Sequence, residues 1–581
     1  MVKTLFCAAL LAAAVPACEA APLELSRGKL VVKANINTEV FYTIMNLSAY
    51  SAALRTTDYM PVYADMAARF APYKEHPAVK ELEAGGVLNW ENGFSYNVPA
   101  QFPLYFTDLP EGRRKAEYSK EFLDRLNIPG AGPGDLAKKA AYMDAYWEKV
   151  KDFYKVSSFG AYWEKENPRY AGFVSELYSV MPATDVVRLH EDYHANRSFS
   201  SFTVVASPLT LPSGGNYGLS VKSLGGDTAI YNIMSASRRG GFGNAENAEM
   251  LALHEFGHSF CNPVVAKYYG EAAKYAFLRR GLSGRIDPAY GDWRSVMNEL
   301  LVRAVHARMV LKLKGEAAAR DFLWTEREHE GFAFIDDWYG LLAGYEADRT
   351  KYRTLYDIYP GLLASLEGWG VYDVQEPRQA GTRMFRSVPG GVKLVNPAQD
   401  GAVYAAGLRN GDVVTAVDGA ALPDAAAFRL KVREFDSLPA GGHMTFTVLR
   451  PGGAADVKAE RAMAVFTRAV RLGKEYRNVT RRAPGPLGLW WAGFGPGGMT
   501  VGFAAPGAPA YAAGIRKGDV VVSAGGILLD SREAYDKACA EWAKLPEGAV
   551  MEFKVLRGGA TTALSVKSAW EDVTETVKIQ G

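Results

Sequence analysis

The chain has 581 residues, which is too long for one hydrophobic core and predicts about three or four domains. Its 66 lysine and arginine residues nearly balance its 64 aspartate and glutamate residues, and the net charge is +2. Lysine and arginine residues occur in runs of no more than two or three. This charge pattern therefore gives no reason to expect nucleic acid or an anionic membrane as a partner.

The first part of the chain, residues 1–20, is typical of a secretory signal peptide. Lys3 forms a short positive region, and an apolar stretch and small residues follow it. Cleavage after Ala20 fits this pattern, so we expect an exported protein, periplasmic or secreted. Cys18 leaves a second interpretation open, a lipoprotein anchor, although Pro16 is unfavourable for it. No transmembrane segment is expected, since the apolar stretch is too short for one and no later stretch is apolar enough.

Two of the four cysteines, Cys261 and Cys539, remain after removal of the signal peptide. They fall in different predicted domains, so we expect no disulfide between them.

Residues 21–370 are predicted to form one α+β domain. Residues 117–180 have a helical pattern rich in tyrosine and tryptophan. Alternating or apolar runs then predict strands over Phe199–Ala206 and Asp227–Ser235.

Two helices are predicted to follow these strands. The first should begin near Asn244 and continue to Cys261. It should stop at Asn262-Pro263, because proline disfavours helix at the residue before it. The second helix is expected from about Ser295 to Leu313.

The first of these helices carries His254-Glu255-Phe256-Gly257-His258. Two histidines four residues apart project from one face of a helix and can fill two of the four positions around zinc. Glu255 lies between them and can accept the proton of a metal-bound water. The alternative is an amphipathic helix with two hydrogen-bonded core histidines.

A third ligand is required, and Glu299 is the candidate, 41 residues after His258. On the second helix Glu299, Arg303 and His306 share one face. The alternative is a surface glutamate paired with Arg303. Other residues could also take part in metal or proton chemistry, but for four of them we expect packing roles: Cys261, Tyr268, Tyr269 and His306. His76 is expected in a turn.

This set of residues resembles the gluzincin metallopeptidases, in which a glutamate on a later helix completes HExxH. The resemblance implies a zincin-like fold, a Zn²⁺ held by His254, His258 and Glu299, and Glu255 as the general base. Many gluzincins carry an aspartate four residues after the ligand glutamate, where it orients the first histidine. This chain has Arg303 there, so another group must orient His254.

The N-terminal half also resembles a family of secreted bacterial proteins named domain of unknown function 4932, to which a peptidase activity is ascribed. The resemblance covers about residues 35–310. It rests on Glu39-Val40-Phe41, on residues 70–77 and on residues 244–258. It identifies no substrate.

A repeat follows near the C-terminus. Tyr404–Val414 recurs as Tyr511–Val521 with two differences in eleven residues. Helices are predicted after the two copies, over Phe428–Phe435 and Arg532–Leu545. Each copy then has a strand that ends in Val-Leu-Arg and a Gly-Gly hairpin.

The two copies resemble bacterial PDZ domains, over residues 380–465 and 484–570. Such domains add a peptide to a sheet edge and seat its terminal carboxylate on a glycine-containing loop. Pro486-Leu487-Gly488-Leu489 looks like that loop, whereas Thr382–Val388 in the first copy has no glycine. We therefore expect the second copy to bind peptide C-termini and the first to bind them weakly or not at all. The alternative is that both copies only brace the catalytic domain.

The combined expectation is an exported zinc peptidase with two small β-rich PDZ domains. Two alternatives stay open. One is a gluzincin-like aminopeptidase, which would need an acidic anchor for a free N-terminus. The other is a non-catalytic PDZ scaffold with a degenerate zincin domain.

Overall fold

The structure is a computed structural model, and it describes residues 22–49, 61–83, 86–89, 92–95, 97–132, 134–181, 185–210, 216–236, 241–242, 245–282, 284–287, 290–382, 384–395, 397–450, 453–505 and 508–579. The expected signal peptide, with Cys18, lies outside these residues. None of the described helices combines the length and apolarity that crossing a membrane requires.

The chain divides into two compact units. The first unit comprises residues up to 271, 294–327 and 334–362, and the second comprises 272–293, 328–333 and 363–581. Two short internal segments, 272–293 and 328–333, therefore belong with the C-terminal part, which no feature of the sequence indicates.

The α-helices that the structure describes are α1 Ile36–Leu47, α2 Pro61–Phe70, α3 Pro77–Lys80, α4 Asn97–Gln101, α5 Lys120–Asp124, α6 Leu136–Val156, α7 Phe159–Val180, α8 Val186–His194, α9 Ala245–Lys267, α10 Tyr269–Ala272, α11 Trp293–Trp324, α12 Ile335–Ala347, α13 Leu355–Ala364, α14 Ala402–Ala405, α15 Ala425–Asp436, α16 Pro509–Ala512 and α17 Arg532–Trp542. Short 3₁₀ turns cover Ala71–Tyr73, Phe102–Tyr105, Ala273–Leu282 and Ser365–Gly368, and one π-helical turn covers Thr325–His329.

The strands are β1 Glu24–Arg27, β2 Leu30–Lys33, β3 Phe199–Ser207, β4 Tyr217–Lys222, β5 Thr228–Ser235, β6 Trp369–Pro377, β7 Met384–Val388, β8 Gly391–Val395, β9 Val413–Val417, β10 Ala420–Ala421, β11 His443–Arg450, β12 Gly453–Glu460, β13 Met463–Arg471, β14 Tyr476–Pro484, β15 Leu489–Gly495, β16 Gly498–Ala504, β17 Val520–Ala524, β18 Ile527–Leu528, β19 Val550–Arg557, β20 Ala560–Lys567 and β21 Trp570–Lys578.

The first unit is built on one five-stranded sheet in the order β1-β2-β3-β5-β4. Strands β2, β3 and β5 run parallel, and the edge strand β4 runs antiparallel to β5. The apolar face of α9 covers this sheet: Phe256 and Phe260 lie 5.3 and 6.2 Å from Phe202 of β3, measured between ring centroids. The helix that carries the HExxH motif is therefore fixed on the sheet by its aromatic side chains.

Helix α9 passes through Pro263, so the predicted stop at Asn262-Pro263 is wrong. A proline inside a helix removes one hydrogen bond, which normally costs stability. Here Val264 and Val265 on the next turn are both buried, and their burial favours continuation of the helix.

Helix α11 also runs beyond its predicted end, but Gly315 interrupts it with φ +82°. Only glycine adopts this left-handed conformation without strain. The part before Gly315 matches the predicted helix over 295–313.

The second unit contains two domains of the same construction, the first repeat domain (β7–β12) and the second repeat domain (β15–β20). Their sheets have the orders β12-β11-β9-β8-β7 and β15-β16-β17-β19-β20, and a helix, α15 or α17, packs beside each sheet. Two ribbons, β6 with β13 and β14 with β21, complete the unit.

The repeated sequence motifs have a shared structural cause. The guanidinium of Arg450, at the end of the Val-Leu-Arg strand, donates from Nε to Asp412 of the Gly-Asp motif over 2.9 Å. Arg557 donates to Asp519 over 2.7 Å in the second copy. Each pair ties the last residue of a strand to the turn that opens the neighbouring strand.

Candidate metal centre

The predicted ligands His254, His258 and Glu299 come together in the structure. Glu299 Oε2 lies 3.5 Å from His254 Nε2, and Glu299 Oε1 lies 3.4 Å from His258 Nε2. One donor atom from each residue can be chosen so that all three lie within 4.8 Å of one another. Ligand atoms in a tetrahedral zinc site are roughly 3.3 Å apart, given Zn–N and Zn–O distances near 2.0 Å. The two distances from Glu299 to the histidines are therefore close to the spacing of zinc ligands.

Two glycines allow the elements around this centre to approach closely. A Cβ added to Gly257 would lie 3.3 Å from Val302 Cγ1, so the small residue lets α11 pack against α9. A Cβ added to Gly218 of β4 would lie only 2.0 Å from the Glu255 carbonyl oxygen. The edge strand β4 consequently runs directly beside the HExxH motif.

The electrostatics of Glu299 are dominated by its partners. Burial by itself would raise the pKa of this carboxyl, but His254, His258 and Arg303 together hold the pKa far below its usual range. Burial likewise lowers the pKa of His254, and the hydrogen bond and charge of Glu299 more than reverse this effect. Glu299 is therefore an ionised carboxylate, the form that binds a metal ion.

The side chains behind the ligands are also defined. With its proton on Nδ1, His258 donates to Asn262 Oδ1 over 3.2 Å, which leaves Nε2 free to bind a metal. Arg303 donates from Nε to Glu299 Oε2 over 3.1 Å and pairs with Glu326 of the π-helical turn. The sequence suggested an Arg303–Glu299 pair only as an alternative to metal binding; in the structure the pair and the histidine contacts coexist.

Other singled-out residues lie apart from the ligand set. Cys261 is buried, its thiol is free, and burial raises its pKa. Tyr268 donates to the carbonyl oxygen of Tyr356. His76 caps the short helix α3, where its Nδ1 accepts from the amide of Ala78.

His306 lies closer to the centre. Its ring centroid is 6.0 Å from that of His254, and among the residues that the structure describes neither of its ring nitrogens has a hydrogen-bond partner.

A second HExxH sequence went unnoticed at the sequence level: His190-Glu191-Asp192-Tyr193-His194 on α8. Its histidines are buried, and their rings lie parallel to Phe260 at centroid distances of 5.5 and 4.3 Å. Within the described part of the chain, only the set with Glu299 has the spacing of a metal site. The motif at His190–His194, the first in chain order, therefore packs against α9, which carries the motif at His254–His258.

Burial keeps both of these histidines neutral. It lowers the pKa of His190 to about 3 and that of His194 well below its usual range.

The family model described as domain of unknown function (DUF4932) matches residues 30–365. The chain belongs to this family. The match contains β2–β5, both HExxH sequences and Glu299, and it confirms the resemblance expected from the N-terminal half. No curated protein matches this DUF4932 protein.

Solved structures similar to parts of this DUF4932 protein include two PDZ domain structures and an HtrA-type protease. The HtrA3 PDZ domain bound to a phage-derived ligand is 21% identical and covers 17% of this chain and 92% of its own, with a TM-score of 0.14. The HtrA-type protease AlgW with a decapeptide is 14% identical and covers 22% of this chain and 49% of its own, with a TM-score of 0.14. A PDZ domain protein from Parabacteroides distasonis is 8% identical and covers 36% of this chain and 100% of its own, with a TM-score of 0.15.

Proposed function

We propose that this protein is an exported zinc-dependent peptidase. The observation that carries the proposal is the convergence of His254 Nε2, His258 Nε2 and the Glu299 carboxylate at distances of 3.4 and 3.5 Å. Two imidazoles and one carboxylate are the donor set of catalytic zinc sites that keep a position open for water or substrate.

A zinc ion at this position would act as a Lewis acid and lower the pKa of a bound water. Glu255 adjoins the ligands without belonging to them, and its charge contributes to the raised pKa of His254. Its role is to accept a proton from the attacking water and to deliver it to the leaving amine. The low exposure of Glu255, 7%, limits competition from bulk water for that proton.

The edge strand β4 supports a peptide as substrate. A sheet edge offers backbone N–H and C=O groups to an extended chain. The carbonyl oxygens of Ser220 and Lys222 already accept from Gln101 and Glu117, so the part of β4 that serves this purpose is its start at Gly218, which meets α9 at Glu255. A peptide that pairs with the start of β4 would bring one of its carbonyl groups to the proposed metal centre.

The second repeat domain supplies a peptide-binding groove in this proposal. Strand β15 pairs only with β16 within its sheet, and α17 packs beside it. Gly488, with φ +77°, forms the turn before β15 that resembles a carboxylate-binding loop. Trp491 of β15 is 42% exposed. An extended C-terminal peptide with an apolar last residue fits these features, as a substrate or as a partner.

The test begins with the metal content of the purified protein and continues with Glu255→Gln. We expect about one zinc per chain in both proteins, and peptide hydrolysis only by the wild type. The substitution keeps the shape of the side chain and removes its basicity, so a fold defect would appear as loss of metal. Hydrolysis by the Gln variant at a near wild-type rate would exclude Glu255 as the base.

The same experiment separates the alternatives. A protein that binds zinc and cleaves only substrates with a free N-terminus is an aminopeptidase. A protein that binds peptides at the second repeat domain but neither binds zinc nor hydrolyses peptides is a scaffold.

A further inference from the structure

A small cavity of about 40 Å³ lies at one end of the groove between β7 and α15 in the first repeat domain. Gly381 and Thr382 line it from the turn before β7, and Val432 and Asp436 line it from α15. Residues far away in sequence close its other side, including Arg285, Glu328, His329 and Arg468. The end of this groove is therefore enclosed by the chain itself.

The corresponding place in the second repeat domain identifies which end this is. Gly381 has φ +76° and accepts from the amide of Ala398, and Gly488 has φ +77° and accepts from the amide of Ala505, both over 2.8 Å. The two glycines are equivalent, so the expectation that the first copy lacks the glycine of a carboxylate-binding loop is wrong. It placed the loop one residue too late, at Thr382. The cavity lies where such a loop would receive a peptide carboxylate.

Glu328 brings a carboxylate of the chain's own to this place. Its Oε2 accepts from Gln379 Nε2 over 2.9 Å and lies 3.2 Å from Arg285 Nη2. The next residue, His329, packs its ring against Phe385 of β7 at 6.4 Å between centroids. Glu328 and His329 thus contact the loop side and the strand side of the groove.

The charges around the cavity oppose a second carboxylate. Asp400 and Asp436 line it together with Glu328. Burial raises the pKa of Asp436 to about 6, and Glu328 contributes to that rise. The guanidinium of Arg468 is held by Glu376 and Asp400 at 2.7 and 3.5 Å. A free peptide terminus would therefore enter a site whose arginines are already paired with acidic groups.

We infer that Glu328 is an internal ligand of the first repeat domain, which occupies the carboxylate end of its groove in place of a peptide C-terminus. Removal of the Glu328 carboxylate takes away one acidic partner of Arg285. It also reduces the electrostatic repulsion that a peptide carboxylate would meet in the cavity. The groove then becomes a binding site for an apolar peptide with a free C-terminal carboxylate. This inference does not depend on the proposed metal chemistry.

Isothermal titration of the full chain with decapeptides that end in each apolar residue tests the inference. We expect Glu328→Ala to bind one more peptide per chain than the wild type, and the C-terminally amidated peptides to fill no additional site. The number of peptides bound by the wild type tests the proposed groove of the second repeat domain separately. Glu434→Ala, which removes an exposed carboxylate from α15, is the matched control and should match the wild type.

Two further variants make the outcome decisive. Glu328→Gln keeps the volume of the side chain, and we expect it to gain the same site even where the alanine variant folds poorly. Adding Arg285→Ala to Glu328→Gln should abolish the gained site. An unchanged stoichiometry in a folded Glu328→Gln protein, or a gained site that also accepts amidated peptides, would overturn the inference.

Discussion

Arg303 Nε donates a hydrogen bond over 3.1 Å to Glu299 Oε2, the same oxygen that lies 3.5 Å from His254 Nε2. One carboxylate thus joins a guanidinium to a proposed metal ligand. Arg303 is held in turn by Glu326, so its position does not depend on Glu299 alone. In many gluzincins the position of Arg303 carries an aspartate that orients a histidine; here Arg303 contacts the carboxylate of the proposed third ligand.

From this arrangement we predict that Arg303→Met weakens zinc binding by about ten- to a hundredfold, the effect typical of groups that hold a metal ligand in place. Chelator competition on the purified protein measures it. Arg308→Met is a matched control, since Arg308 lies on the same helix but pairs with Glu346. Equal zinc affinity of the Arg303 variant and the wild type would contradict the positioning role.

The convergence of His254, His258 and Glu299 could be predicted because its signals in the sequence are local: two histidines four residues apart, and Asn-Glu on a periodic helix. The Arg303–Glu326 pair could not be predicted, because the residues are 23 positions apart and meet through a π-helical turn. Strand β4 was missed although Tyr217, Leu219 and Val221 alternate with smaller or polar residues, the pattern of a half-buried strand. A closer count of that alternation would have found it.

The loop glycine at Gly381 and the contact of Glu328 within the chain are two further features that were not predicted from the sequence. The stretch compared with Pro486-Leu487-Gly488-Leu489 began at Thr382, one residue after Gly381. The spacing between the repeats, by which Tyr404 recurs as Tyr511, pairs Gly381 with Gly488. The backbone hydrogen bonds of the two glycines agree with this pairing.

The two HExxH motifs provide a direct comparison. His258→Phe should reduce zinc occupancy sharply, because it removes one of three donors, whereas His194→Phe should leave occupancy unchanged. The ring of His194 already packs against Phe260 at 4.3 Å, so a phenyl ring suits its surroundings. Metal analysis after dialysis measures both variants, with circular dichroism to check the fold. Loss of zinc from a folded His194 variant would show that the first motif also binds metal.

Glu299→Ala tests the third ligand in the same assay. We expect zinc occupancy to fall sharply without unfolding, since the change removes a ligand and leaves the packing of α11 in place. Arg303 then loses one acceptor but keeps Glu326. Full zinc retention in the folded variant would mean that a carboxylate other than Glu299 is the third ligand.

Gly218→Ala tests the close approach of β4 to the HExxH motif. The added Cβ would lie 2.0 Å from the Glu255 carbonyl oxygen, so strand or helix must move. We expect a loss of about 1–3 kcal/mol in the free energy of unfolding, as for other overpacked sites. Peptide hydrolysis should fall further than zinc occupancy. Gly172→Ala is the control, because a Cβ there meets nothing within 4 Å. Equal stability of the two variants would contradict the close contact.

Glu39 predicts how the stability of the first unit depends on pH. Its carboxyl is buried, accepts hydrogen bonds of 2.5 Å from Ser207 and Tyr170, and has a pKa that burial raises from 4.5 to about 7. Between these two pH values the folded state holds a proton that the unfolded state releases. The stability associated with this group is therefore complete below pH 4.5 and is lost as pH rises through 7.

We predict that Glu39→Gln, which stays neutral, removes this loss. Relative to the wild type, the variant should gain roughly 3 kcal/mol in unfolding free energy between pH 4.5 and 8, since each pKa unit corresponds to about 1.4 kcal/mol. Urea unfolding at several pH values measures the difference. The buried His190, whose pKa is about 3, gives the opposite dependence in acid. The stability associated with it is lost as the pH decreases below 6.5. That contribution is common to both proteins and cancels in the comparison, so a difference that does not change with pH would mean that Glu39 is ionised in the folded protein.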